Sequence, residues 1–289
     1  MPQFEQNTFQ FGVCGHNPSH AICNGYPQEQ TLTHLHLAAQ LGVKLYRFDT
    51  ELNNWLWMDL LVETAGKYGL DLMAIVYQAD GLAEKMAARY RGKIKYYQIC
   101  NEIDCLTFKK IPGVPDADGR EIHDFDENKL ADWADRCRRI AAELRRGDPE
   151  AKLCLNGTWK HTGMIDYMLA NGVDFDILGW DWYSNMESYG IRNCVEDLLR
   201  YEKDIIFCET NIWPHTHKEE DRAPYLVGLM NALYTYPSSR LKGMIIYELM
   251  DEPRHPSAPE RTFGLVRADE KGQVLGMKDA YIAIQNLLL

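Results

Sequence analysis

Lys95-Tyr96-Tyr97-Gln98-Ile99-Cys100-Asn101-Glu102 is the stretch on which the reading of the fold turns. Its β-branched and aromatic residues read as a buried strand that stops at two polar groups able to do chemistry. Asp204-Ile205-Ile206-Phe207-Cys208-Glu209 repeats the pattern, an apolar strand ending on a carboxylate. As parallel strands of one barrel, the two stretches place Glu102 and Glu209 on the same rim.

Outward from these stretches, strand-like runs alternate with amphipathic ones, as βα units of a parallel sheet do. Residues 9–14, 44–49, 70–76 and the opening stretch read as four strands; 151–155, 175–180, 204–209 and 243–247 read as four more. Helical periodicity falls over 31–41, 54–68, 81–90, 128–146, 164–170, 195–201 and 221–236, with a final helix over 278–288. Gly42, Gly69 and Asn171-Gly172 are stop signals, and Gly147-Asp148-Pro149 ends the fourth helix because proline cannot continue it. Residues 104–126, rich in Pro, Gly and Asp, read as a long loop on the rim. Residues 250–262 form a second polar loop, followed by a hairpin over 262–275 turning at Glu270-Lys271-Gly272. The expected fold class is α/β, a single (β/α)8 barrel spanning 1–289. The length of 289 residues suits it, since such barrels take roughly 250. Gly12-Val13-Cys14-Gly15-His16 lacks the glycine pattern of a dinucleotide-binding open sheet.

A formal net charge of -11 argues against nucleic acid or an anionic membrane as a partner. The eight Cys show no CxxC pair and no zinc-finger spacing. They read as free thiols packed as small hydrophobes, which favours a reducing, cytoplasmic setting. The N-terminal residues show no basic-then-apolar leader, in line with that expectation.

The active site of such a barrel lies at the C-terminal ends of its strands. There the chain places His16-Asn17, Arg47, Asp49, Tyr77, Asn101-Glu102, Trp159, Asp181-Trp182-Tyr183, Glu209 with Trp213 beyond it, and Tyr247-Glu248. No Ser-His-Asp set, HExxH or phosphate-binding glycine cluster accompanies them. Aromatic faces, amides and carboxylates suit a carbohydrate. A pair of carboxylates is the minimum equipment for breaking a glycosidic bond.

The order Arg47, Asn101-Glu102, Tyr183, Glu209, Tyr247 resembles the clan A retaining glycoside hydrolases with the 4/7 barrel architecture, in the style of families 5 and 39. The closing segment Glu260-Arg261-Thr262-Phe263-Gly264-Leu265-Val266 is similar to the end of such enzymes as well. Many members end the eighth strand on Trp, where this chain has Tyr247. The resemblance implies double displacement without a cofactor, with Glu209 as nucleophile and Glu102 as acid/base. His16, Arg47, Asn101, Trp159, Asp181, Trp182, Tyr183, Trp213, Tyr247 and Glu248 would contact the substrate or orient the carboxylates.

Two other readings carry different expectations. A metal-dependent barrel isomerase or lyase would use Glu102, Glu209, Asp181 and His16 as ligands. A non-catalytic barrel would bind sugar and release no product. Asp116, Asp118, Asp124, Asp126 and Glu127 read as a solvated acidic loop, and no residue is assigned to a metal.

Overall fold

The structure, a computed structural model, describes residues 8–16, 28–77, 79, 81–109, 118–214 and 217–289. Asn17 and Asp116 lie outside these residues, as does 110–117 of the loop expected over 104–126. Strands β1 (Gln10–Gly15), β2 (Leu45–Asp49), β3 (Asp71–Ile75), β4 (Tyr96–Gln98), β5 (Lys152–Thr158), β6 (Ile177–Tyr183), β7 (Asp204–Asn211) and β8 (Leu241–Ile246) pair in chain order into a closed barrel. All of these pairings are parallel, and β1 closes the ring on β8. The outer layer comprises α1 (Gln28–Leu41), α2 (Trp55–Tyr68), α3 (Ala83–Arg89), α4 (Ile103–Thr107), α5 (Glu127–Gly147), α6 (Thr162–Ala170), α7 (Ile191–Leu199), α8 (Arg222–Tyr234) and α9 (Asp279–Leu288). The expected hairpin is β9 (Val266–Ala268) with β10 (Val274–Met277).

The interior of the barrel is narrow and filled by Cys14, Leu45, Met73, Cys154, Cys208 and their neighbours. A Cβ at position 179 would lie 2.5 Å from Cys154 Sγ and 2.8 Å from Cys208 Sγ, so only glycine leaves those thiols room. The described cysteines are free, and six of them are buried, in keeping with their reading as small hydrophobes. Leu130, Ala134, Cys137, Ala141 and Leu144 of α5 form the buried stripe expected from its periodicity. Asn54 caps α2 by accepting from the Trp57 backbone N–H at 3.1 Å. At the far end of the chain, α9 docks on α1, where the Tyr281 hydroxyl donates to the Leu37 carbonyl at 2.8 Å.

Two features differ from the sequence reading. The segment after β4 opens with α4, a helix of one turn, too short to register as a period. The acids of the following stretch are structural rather than only solvated. Asp124 accepts from the Gly119 N–H at 3.0 Å, and Asp126 caps α5 through Asn128 and Lys129.

The closing segment is tied to the end of β8. Leu265 N–H donates to the Glu248 carbonyl, Val266 N–H to Leu249, and Asp251 N–H to Val266, at 2.9–3.0 Å. Gly264 sits inside this lacing, and a Cβ there would fall 2.0 Å from the Asp251 nitrogen. The obstruction is backbone and cannot rotate aside. Gly264→Ala is therefore expected to cost about 1–3 kcal/mol, read as a lower urea midpoint at unchanged m-value. An unchanged midpoint would show that the segment is not seated this tightly.

Candidate active site

Arg47 rises from β2 into the mouth of the barrel and is only 2% exposed. A buried guanidinium must spend its donors on protein. Its Nε donates to Gln98 Oε1 at 2.8 Å, and its Nη2 to Asn101 Oδ1 at 2.8 Å. Nη1 meets Cys14 Sγ at 3.2 Å and Glu209 Oε1 at 2.9 Å. The other oxygen of Glu209 accepts from the Tyr183 hydroxyl at 2.8 Å. Glu209 is thereby gripped at both oxygens by groups on β2 and β6. Gln98 Nε2 also donates to Asn101 Oδ1 at 2.8 Å. With two donors on its oxygen, the Asn101 amide turns its NH2 group away from Arg47, and Asn101 lines the cleft.

Glu102 is held differently. The chain turns sharply after the short strand β4, and Glu102 takes the left-handed conformation, φ 42 and ψ 41. That conformation is costly for a residue with a Cβ. The Asn156 side chain anchors it by accepting from the Glu102 N–H at 2.7 Å, and Asn156 Nδ2 donates to Asp181 Oδ1 at 3.0 Å. Among the described residues, no cation pairs with the Glu102 carboxyl as Arg47 does with Glu209. Burial, then the charges of Glu209 and Asp104, push its pKa up to about 8. One carboxylate lies against a cation while its neighbour retains a proton at neutral pH.

Both groups open into one cavity of about 510 Å³. His16, Tyr183, Trp213 and Tyr247 line it with them. Phe263 packs 5.5 Å from the rings of Tyr183 and Tyr247 and 5.7 Å from Trp213, bracing the aromatic wall from behind.

Four expected contact residues do not reach the cavity. Successive side chains of a strand point to opposite faces. On β6, Gly179 faces the interior thiols and Tyr183 the cleft, so Trp182 turns outward and packs near Tyr189. Asp181 shares the inward face but is fully buried below the rim. Burial and the charges of Glu209 and Glu102 raise its pKa well above the usual carboxylate range. Trp159 leaves β5 with a positive φ of 57, and its ring packs against the core while its carbonyl accepts from Trp180 Nε1. Glu248 is 1% exposed and lies behind His16.

Further groups complete the site. Gln98 is fully buried and acts on the cleft through Arg47 and Asn101; it sits directly before Ile99-Cys100 in the opening stretch, and an amide within an apolar strand was its only signal. Glu252, His255 and Glu260 come from the loop after β8. Burial and the charge of Glu209 push the Glu260 pKa up to about 7. No periodicity aims a loop side chain, so only the folded chain places it.

No protein-family model matches the chain, and no curated protein matches it in sequence. Its backbone nonetheless defines a class, that of (β/α)8 barrels similar along their whole length to solved β-glucosidase structures. The family 1 β-glucosidase from Thermotoga maritima aligns over 97% of both chains, with a TM-score of 0.73 and 13% identity. The virulence factor SghA from Agrobacterium tumefaciens aligns over 97% of this chain and 96% of its own, with a TM-score of 0.69 and 15% identity. A GH5_18 protein from Streptomyces cattleya, solved in complex with Manb1-4GlcNAc, aligns over 97% of this chain and 80% of its own, with a TM-score of 0.69 and 14% identity. At such identities the likeness establishes the shared fold.

The raised proton affinity of Glu102 has a consequence for stability. The folded chain holds this proton more tightly than the unfolded chain does, so its stabilising contribution is present in acid and lost as pH rises through about 8. Glu102→Gln is neutral at every pH. Its thermal midpoint is expected to lie near that of the wild type at pH 5 and above it at pH 9. A difference that does not change with pH would remove the argument for a buried, proton-holding Glu102.

Proposed function

We propose that the chain is a retaining glycoside hydrolase that cleaves β-glycosidic bonds of oligo- or polysaccharides. One observation carries this reading: Glu209 is clamped by Arg47 and Tyr183, while across the same cleft Glu102 is left to hold a proton. The two carboxyls have the opposite environments that a nucleophile and an acid require.

In the first step, Glu209 attacks the anomeric carbon from the face opposite the leaving group. The bond to the leaving oxygen breaks, and that oxygen takes the Glu102 proton. Glu102, now a carboxylate, accepts a proton from an incoming water. The water oxygen bonds to the anomeric carbon and releases Glu209. Two inversions give net retention. The Asn101 NH2 group is placed to donate to the sugar 2-hydroxyl, a contact that strengthens in the transition state. Tyr183, Trp213 and Tyr247 offer ring faces to the apolar side of a pyranose. The whole-length likeness to proteins described as β-glucosidases supports this choice of substrate class.

A panel of aryl β-glycosides followed by proton NMR tests the reaction. The β-anomer is expected first, and an α-anomer would mean inversion and reassign both carboxylates. Glu209→Ala is expected to lower kcat by about 10⁴-fold or more with its fold intact; unchanged turnover would sink the assignment.

The pH profile tests the division of labour. Because the acid must be protonated, kcat/KM is expected to fall on the alkaline side with a limb near pH 8, set by Glu102. That limb should be absent in Glu102→Gln assayed on a substrate whose leaving group needs no acid. Its persistence there would assign the proton to another residue.

A further inference from the structure

Beside the two cleft carboxylates lies a second group of ionisable side chains that the proposed reaction does not use. His16 stands at the end of β1, and Glu248 and Glu252 follow β8. His16 Nε2 is 3.0 Å from Glu248 Oε2 and 3.7 Å from Glu252 Oε1. One nitrogen and one oxygen from each glutamate fall within 4.8 Å of one another. We propose that His16, Glu248 and Glu252 bind one first-row divalent cation, Zn²⁺ or Mn²⁺.

The spacing is that of ligands around a common centre. Ligands bound at about 2.0–2.2 Å lie roughly 3.0 Å apart at right angles and roughly 3.4 Å apart at the tetrahedral angle. The second nitrogen of His16 points to the same end. Its Nδ1 is 2.8 Å from Asp49 Oδ2, and a carboxylate on the far nitrogen is what orients a metal-ligating histidine.

Charge and burial add a separate argument. Glu248 and Glu252 are 1% and 2% exposed, and Glu248 Oε1 has no hydrogen-bond partner among the described residues. A buried carboxylate oxygen without a partner is costly. Among the described residues, the neighbouring Arg47, Arg222 and Lys278 pair with Glu209, Glu219 and Asp251, and His16 is the cationic group that faces the two glutamates. A dication taken up in exchange for the His16 proton would carry more positive charge to Glu248 and use its remaining oxygen. One imidazole and two carboxylates suit zinc or manganese better than calcium or magnesium, which favour oxygen ligands throughout. His16 and Glu252 also line the cleft, so further coordination positions face it.

This inference does not rest on the glycosidase reading, and its test reads binding rather than turnover. The full chain, stripped with a chelator and desalted, is titrated with ZnCl₂ and MnCl₂ by calorimetry, and the bound metal is counted after gel filtration. One equivalent of Zn²⁺ or Mn²⁺ per chain is expected. Glu248→Gln is expected to weaken binding at least tenfold and Asp49→Asn by about 10–100-fold, each with a far-ultraviolet spectrum like that of the wild type. Cys105→Ser is expected to leave binding unchanged, because Cys105 belongs to a different group with Asp104 and His161. No stoichiometric binding by the wild-type chain would overturn the proposal without recourse to any variant. Binding that survives Glu248→Gln and Asp49→Asn but is lost in Cys105→Ser would overturn it as well.

Discussion

A guanidinium shut inside the mouth of a barrel has to be satisfied, and Arg47 is satisfied by the site itself. Its partners come from β1, from β4 and the turn that follows it, and from β7. Each polar side chain around it is therefore held twice, once by its own strand and once by the cation. Removing one member of such a set leaves a buried charge uncompensated, which costs more than the set contributes as a whole. The same constraint holds Glu209 at both oxygens and turns the donors of Asn101 away from Arg47.

The contrast between the two carboxyls follows from geometry rather than residue type. Glu209 lies within β7 at a shift of register that skips Cys208, where the neighbouring β6 supplies Tyr183 to one oxygen and Arg47 meets the other. Glu102 lies just past the end of a three-residue strand, in a left-handed turn anchored by Asn156. From there it cannot share Arg47 on equal terms and bears the negative charge of its neighbours instead. Asp181 supports the turn through Asn156, and its burial is the cost of that support.

The segment after β8 completes the cleft in a second way. Arg222, itself buried, donates to the carbonyls of Thr262 and Phe263, and Lys278 reaches the Thr262 carbonyl and Asp251. These ties seat Phe263 behind the aromatic wall and bring Glu260 to the rim. A distant stretch of chain thus shapes the part of the cavity that the strands leave open.

Much of this was legible in the sequence. The alternation of apolar runs and helical periods marked out the barrel, because strands covered on both faces and helices covered on one face leave distinct patterns. The apolar runs also ended on Arg47, Asn101, Glu102 and Glu209, which converge once the rim is closed. Sequence could not say which face a residue at a strand end would occupy, so Trp182 and Asp181 were expected in the cleft, and one points away while the other lies below. It could not aim the loop residues Glu252 and Glu260, nor place His16 between Asp49 and two buried glutamates. Strand and helix periods are local and survive in one dimension. The direction of a loop side chain and the proton affinity of a carboxyl depend on neighbours far away in the chain, and only the closed barrel brings those neighbours together.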